Sequence, residues 1–291
     1  MNAAIAAPAF VNRHSFIELD ARARAQSLMD PGSWRELVGP FDRMESPWLP
    51  LQGIAPQSDD GCVVLKGKIA GAPSVVIALE GGFQAGSMGE VSGAKMSTAL
   101  DLATEDSRNG QKTAAVLLLE TGGVRLQEAN LGLAAIAEVM SSMLALREHA
   151  PVITVIAGTV GCFGGLALAA GLSSYIVMTQ EARLGMNGPE VIEQESGIEE
   201  FDASDRGLIW AINGGEQRVA MGVADQLVLD DVSKISAAVQ SYIKAGLPPV
   251  HRSQQVELYR RRIAAIDTSS QMDPLRLRQS WSSETREGEN R

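Results

Sequence analysis

Hydrophobic residues recur along the chain in two alternating patterns. Short continuous apolar runs, typical of strands buried on both faces, occur at 114–119, 152–157 and 175–178. Apolar positions at helical spacing predict one helix over about 89–105 and a second that starts near Val124 and runs to His149. This alternation of strand, glycine turn and helix predicts βαβ units with parallel strands.

Two further patterns precede these units. Residues 15–38 begin with a helical pattern and meet a stop at Asp30-Pro31-Gly32, whereas the β-rich runs within 62–79 predict a hairpin or neighbouring strands. We therefore divide the chain into three parts: an N-terminal helical arm (1–50), a central domain (51–250), and a C-terminal helix with a polar tail (251–291).

Glycine pairs follow two of the predicted strands and are the first candidates for a functional site. Gly122-Gly123 and Gly164-Gly165 each lead into a predicted helix, where backbone N–H groups lack intrahelical acceptors. Two such groups converging from neighbouring units would form an oxyanion hole. For a single pair, close packing of helix on strand is the more common role, so the glycines alone leave both interpretations open.

Composition narrows the class of protein. The 291 residues are 45% hydrophobic and 21% charged, which is ordinary for a globular protein, and the formal net charge of −10 argues against non-specific binding to nucleic acid or anionic membrane. Cys62 and Cys162 fit neither a metal motif nor a disulfide framework, which favours a cytoplasmic location. The uncharged stretch 151–180 is long enough for a membrane span, but its many glycines favour a buried core.

Other catalytic patterns fit poorly. His14, His149 and His251 lie outside nucleophile and metal motifs, and neither a G-x-S-x-G elbow nor a Walker sequence is present. We expect no metal ion. Arg125 lies beside the first glycine pair, where it could bind an anion or simply pair with Glu128.

Several longer segments carry a family resemblance. They are GKIAGAPSVVIALEGGFQAGSMGEVSGAK, LLLETGGVRLQEA, PVITVIAGTVGCFGGLALAAGLSSYIVM and ARLGMNGPEVIEQESG, in collinear order. Together they resemble the carboxyltransferase family of the crotonase superfamily and, within it, the β subunits of biotin-independent malonate decarboxylases. Family members often carry GGAR-M-QEG where this chain has Val124 and Ala129, which leaves the shape of the substrate site at Val124 open.

The resemblance implies a fold, a chemistry and a site. The fold is α/β and crotonase-like (ClpP/crotonase), with stacked ββα units, two roughly perpendicular sheets and flanking helices. The chemistry is decarboxylation of a malonyl thioester through an enolate held by backbone N–H groups. The implied catalytic positions are Gly123, Val124, Gly164 and Gly165. The implied substrate-binding positions are Gly86, Ser87, Met88, Gly89, Gly122 and Arg125.

Partners and cofactors are likewise implied by the resemblance. Malonate would be carried by an acyl carrier protein on a dephospho-CoA-derived arm, and a γ subunit of related fold would complete the site. No covalently bound cofactor is expected. Two alternatives stay open: the β subunit of a biotin-dependent acyl-CoA carboxyltransferase, and a non-catalytic crotonase-like partner whose glycine loops only pack. The absence of a four-cysteine zinc ribbon separates the chain from bacterial acetyl-CoA carboxylase β subunits.

Overall fold

Seven strands form one sheet whose spatial order follows the chain. The computed structural model describes residues 13–267, 269 and 273–288. The remaining residues of the arm and tail proposed from the sequence lie outside the described residues. The strands are β1 (Arg35–Leu37), β2 (Cys62–Ile69), β3 (Ala72–Leu79), β4 (Ala114–Leu118), β5 (Val152–Ile156), β6 (Tyr175–Thr179) and β7 (Gln226–Val228).

The sheet changes from antiparallel to parallel at β3. β1, β2 and β3 pair antiparallel, and every later pair is parallel. All residues of β4 and β5 are buried, because helices cover both faces of the sheet. The predicted hairpin over 62–79 and the predicted βαβ units are confirmed.

Ten helices accompany the sheet in the described part of the chain. They are α1 (Ala21–Leu28), α2 (Glu90–Arg108), α3 (Asn130–Leu146), α4 (Gly165–Leu172), α5 (Pro189–Ser196), α6 (Arg206–Asn213), α7 (Gly215–Ala220), α8 (Val232–Ala245), α9 (Val256–Ala264) and α10 (Pro274–Gly288). Residues of α2, α3 and α4 share one apolar core with one face of the sheet, and residues of α1 and α8 share a second core with the other face.

Isolated bridges stand where a second sheet was expected. Among the described residues only one sheet forms, and four single-residue bridges join the segments that follow the strands. The bridges are Met88–Val124, Thr121–Cys162, Cys162–Leu184 and Arg183–Gly214. These segments are too rich in glycine turns to extend into regular strands, but they still link successive ββα units at one end of the sheet.

The second predicted helix starts later than expected. α3 begins at Asn130, not near Val124, because Leu126–Glu128 form a 3₁₀ turn and Ala129 follows with φ +50° and ψ −127°. A helix cannot pass through a residue in that conformation. The prediction that the Gly122-Gly123 pair opens a helix was therefore wrong, and only the later glycine pair leads directly into one.

Replacing Ala129 with glycine should stabilise the protein. The backbone at Ala129 lies in a region of positive φ that is unfavourable for residues with a Cβ and costs about 1–3 kcal/mol. Glycine removes that strain but adds entropy to the unfolded chain, so we expect a net gain of about 1 kcal/mol in the free energy of unfolding. Urea unfolding measures this gain. The control is Ala137→Gly, at an exposed position of α3, which should lower the free energy of unfolding by about 1 kcal/mol. A lower free energy of unfolding in Ala129→Gly would contradict the prediction.

A carboxylate near the end of the sheet holds the N-terminal segment. Asp230 is buried and accepts hydrogen bonds from the N–H groups of Phe16 (2.8 Å) and Ile17 (2.9 Å). It follows β7, so the segment that precedes α1 is bound to a residue more than two hundred positions later. No helix in the described part of the chain is long and apolar enough to cross a membrane.

Candidate functional site

The loops that carry the two glycine pairs lie against each other. The Thr121 N–H donates to Gly161 O (2.8 Å) and the Phe163 N–H donates to Thr121 O (2.9 Å). A Cβ atom at Gly164 would come within 2.9 Å of the Gly123 Cα. Both glycines have positive φ, +127° at Gly123 and +66° at Gly164. The backbones therefore approach as closely as the absence of side chains allows.

Two of the four predicted N–H donors are already bonded within the chain. The Gly123 N–H donates to Thr121 Oγ1 (3.1 Å), and the Gly164 N–H donates to Met186 O (2.8 Å). The N–H groups of Val124 and Gly165 have no acceptor among the described residues. Gly165 is the first residue of α4, where an N–H group lacks an intrahelical acceptor.

The two open donors belong to one small region. A Cβ at Gly164 would lie 3.8 Å from the Val124 nitrogen, which places that nitrogen beside the residue preceding Gly165. One donor comes from the loop after β4 and the other from the N-terminus of α4. This arrangement can accept an oxygen atom that gains negative charge during a reaction.

The predicted binding residues 86–89 brace the first loop through backbone bonds. The Met88 N–H donates to Gly123 O (2.9 Å), and Met88 O accepts from the Arg125 N–H (2.8 Å). The Gly122 N–H donates to Ala85 O (2.8 Å). Met88 is fully buried. Met88 and Gly122 thus fix the path of the loop directly, whereas Gly86 packs on the Glu120 backbone and Ser87 and Gly89 lie against the Arg125 side chain.

Arg125 lies in an ionic cluster below the loop. Its side chain is buried, and Nη1 donates to Asp60 Oδ1 (2.6 Å) and to Glu128 Oε1 (2.9 Å). Nη2 donates to Ser87 O (3.1 Å), and the guanidinium lies over the Phe83 ring. With these partners the guanidinium holds the segment around Ser87 and the loop after β4 together. The geometry matches the pairing with Glu128 that the sequence left as an alternative.

The pKa values of the two carboxyl groups in this cluster are shifted in opposite directions. Desolvation raises the pKa of Asp60 despite the neighbouring Arg125 charge. Burial also acts to raise the pKa of Glu128, but hydrogen bonds from the Ser46 hydroxyl, the Glu90 N–H and Arg125 together lower it. The cluster therefore depends on the arginine to offset the cost of burying two carboxylates.

Removing the arginine charge should destabilise the fold. In an Arg125→Met variant, Asp60 and Glu128 would remain buried without their cation, so we expect the free energy of unfolding to fall by about 3–5 kcal/mol. Urea unfolding of the variant measures the loss. Arg260→Met removes an exposed ion pair with Glu257 and should change stability by less than about 0.5 kcal/mol. Equal losses in both variants would contradict the prediction.

Sequence reasoning missed two buried acidic groups beside the loops. Asp60 contacts Arg125, and Glu120 ends the β4 region and contacts both Arg24 and the loop after β5. The position of Glu120 directly after a continuous apolar run could have indicated a buried charge. The partners of Glu120, however, lie far from it in the sequence. Among the described residues, no group of three His, Cys, Asp or Glu side chains could hold a metal ion.

Exposed apolar side chains surround the two loops. Leu126 is 82% exposed in the 3₁₀ turn after Gly123, and Leu133 is 56% exposed in the first turns of α3. Leu168 in α4 and Met186 after β6 are also more than half exposed. Leu126 and Leu133 follow Val124 along the chain, Leu168 follows Gly165, and Met186 O accepts from the Gly164 N–H, so we call these four residues the apolar rim. Such a rim is typical of a surface that another protein covers.

Comparison with protein families gives a match over most of the chain. A model of the carboxyl transferase domain matches residues 15–278. The malonyl-S-ACP:biotin-protein carboxyltransferase of Malonomonas rubra is 42% identical over 257 residues, which cover 85% of this chain and 79% of that protein.

Solved structures give a similar result. The chain resembles one from a Pseudomonas malonate decarboxylase hetero-tetramer in complex with malonate, with 55% identity, a TM-score of 0.91, and coverage of 93% of this chain and 98% of the other. It also resembles a chain of the Pseudomonas malonate decarboxylase MdcD–MdcE hetero-dimer, with 50% identity, a TM-score of 0.75, and coverage of 89% and 100%. The region of the glycine loops falls within the family match.

Proposed function

The chain belongs to the carboxyl transferase domain family, and from this we propose that it is the β subunit of a malonate decarboxylase, which releases CO2 from a malonyl thioester. The resemblance to carboxyltransferases that the motifs carry is confirmed. The observation that supports the chemistry most directly is the pair of unbonded N–H groups at Val124 and Gly165.

The reaction needs little beyond such donors. The bond between the α-carbon and the free carboxylate breaks, CO2 leaves, and the electron pair moves onto the α-carbon and the thioester oxygen. The N–H groups of Val124 and Gly165 stabilise the resulting enolate oxygen, and a proton then adds to the α-carbon to give the acetyl thioester. Gly123 and Gly164 shape the pocket by allowing the loops to touch.

The names of the relatives support a proposal for the substrate carrier and for the partner. The name of the Malonomonas rubra relative includes malonyl-S-ACP as its substrate, and the two Pseudomonas structures are a hetero-tetramer and a hetero-dimer. We extend this to a malonyl group on the dephospho-CoA-derived arm of an acyl carrier protein, and to a γ subunit that covers the apolar rim. The proposal places the complex in the cytoplasm.

A second candidate function has one specific observation in its favour. The relative from Malonomonas rubra is named as a biotin-protein carboxyltransferase, so its carboxyl group passes to biotin. The Pseudomonas relatives are more similar to this chain, at 55% and 50% identity against 42%, which is why we place decarboxylation without biotin first.

Avidin separates the two candidates. Avidin sequesters biotin, so CO2 release by the purified complex should be unchanged in its presence, whereas a biotin-dependent enzyme should lose all activity. The measurement is release of labelled CO2 from a malonyl thioester by the chain co-purified with its γ subunit. Full inhibition by avidin would support the second candidate, and absence of release with or without biotin-carrying protein would contradict both.

A further inference from the structure

Glu120 occupies the junction between the two glycine loops. It directly follows the β4 region and precedes Thr121, and its side chain is only 9% exposed. Oε2 accepts a hydrogen bond from Arg24 Nη1, and Oε1 accepts from the Val160 N–H at 3.2 Å. The carboxylate therefore ties the chain that leads to Val124 to the loop that leads to Gly165.

Arg24 holds this carboxylate from a third part of the chain. It projects from α1, and its Nε and Nη2 donate to the carbonyl oxygens of Phe16 (3.0 Å) and Ile17 (2.6 Å). With three contacts the planar guanidinium has little freedom to move. Those two residues are themselves bound by Asp230, so the guanidinium is anchored to the body of the sheet.

Close packing removes alternative positions for the carboxylate. A Cβ atom at Gly81 would come within 2.7 Å of Glu120 Cδ, and one at Gly158 would overlap the carboxylate. Two backbone segments thus press directly on the side chain. The Thr121 N–H bond to Gly161 O (2.8 Å) repeats the connection between the loops one residue further on.

We infer that Glu120, held by Arg24, is a positioning residue that sets the separation between the Val124 and Gly165 N–H donors. This inference rests on the proposed function. The Glu120 side chain is buried and each of its oxygens accepts a hydrogen bond from the chain, so we assign it no contact with the thioester. It acts through the loops, because any shift of its carboxylate moves residues 121–124 relative to residues 160–165.

The chemistry of the contacts makes Glu120→Gln a sharp test. Arg24 Nη1 and the Val160 N–H are both donors, and a carboxylate can accept from both. A glutamine side chain has nearly the same shape, but it offers one acceptor and one donor group. The amide NH2 of the glutamine would then face either Arg24 Nη1 or the Val160 N–H, both of which are donors. Because two donors repel, either the arginine or the loop after β5 would be displaced.

Kinetics of the complex with its γ subunit should reveal the displacement. We expect Glu120→Gln to lower kcat about 100-fold with little change in KM, since a misplacement of about 1 Å in a positioned group can cost this much. Arg24→Gln should have a similar effect, Arg24→Lys should recover part of the rate, and the two glutamine changes together should cost less than the product of their separate effects. Lys66→Gln is the matched control: it breaks a partly exposed ion pair between β2 and α2, Lys66 Nζ to Asp106 Oδ2 at 2.7 Å, and should leave kcat unchanged.

Hydrogen–deuterium exchange provides a readout that does not depend on activity. Peptides that cover 121–125 and 158–166 should exchange faster in Glu120→Gln than in the unmodified complex, whereas Lys66→Gln should leave their exchange unchanged. If the unmodified complex releases no CO2 but exchange is faster in Glu120→Gln, the positioning role is supported and the proposed function is contradicted. Unchanged exchange, or a lower unfolding temperature with unchanged kcat, would overturn the inference, because it would leave Glu120 with a role in stability alone.

Discussion

Replacing Gly164 with alanine should lower kcat for malonyl thioester decarboxylation by about 100- to 1,000-fold, the loss seen when one oxyanion-hole donor is removed. The new Cβ would lie 2.9 Å from the Gly123 Cα, a backbone atom that cannot rotate away. The φ of +66° at Gly164 adds strain for any residue with a side chain. The two loops must separate, and the donors at Val124 and Gly165 would then no longer converge.

Gly246→Ala is the matched control for this change. Gly246 also has a positive φ, +76°, but a Cβ there would meet no atom within 4 Å, so activity should be retained. Gly165→Val also removes activity under the proposal, but it is less selective, because its Cβ would press on Ile136 at 2.6 Å. Full activity of a folded, assembled Gly164→Ala complex would indicate that the glycine loops only pack, as expected for a non-catalytic partner.

Activity should require a second subunit. Purified alone, the chain should self-associate and release CO2 at less than about one hundredth of the rate of the complex, because its donors lie in a rim of exposed leucines with no cover to exclude water. Leu168→Asp, at a position that is 51% exposed in α4, should prevent co-purification with the proposed γ subunit. A charge placed in the middle of an apolar interface would be buried without a partner.

The control for the interface lies on another helix. Ile263 in α9 is 62% exposed, and Ile263→Asp should leave assembly and rate unchanged. Size-exclusion chromatography with a CO2-release assay measures both effects. A well-behaved monomer that decarboxylates a malonyl thioester at the full rate would contradict the requirement for a partner.

Local patterns were sufficient to predict most of the fold. Continuous apolar runs marked β4, β5 and β6, and helical spacing marked α2 and most of α3. The predicted start of α3 was wrong because no residue near Ala129 indicates that this alanine adopts a positive φ. The two-sheet arrangement came from the family resemblance, and the second layer takes the form of isolated bridges.

For the candidate site, the sequence indicated which positions lie together but not what each of them bonds to. Glycine pairs after parallel strands indicated where N–H donors could lie, since the carboxyl ends of such strands share an edge. Sequence could not show that Thr121 and Met186 already accept from Gly123 and Gly164, because those bonds depend on how the loops cross. It also could not pair Arg24 with Glu120, whose contact exists only after α1 folds onto the sheet.

The order of the strands bears on how the protein is made. Because each strand pairs with its predecessor in the chain, a polypeptide leaving the ribosome can add every new strand to the edge of a sheet that already exists. The N-terminal segment is the exception. Phe16 and Ile17 must wait for Asp230 before their N–H groups find a partner. The segment that contains Phe16 and Ile17 should thus be fixed only after β7 and Asp230 have been synthesised, and nascent chains that stop short of Asp230 should expose this segment to proteases.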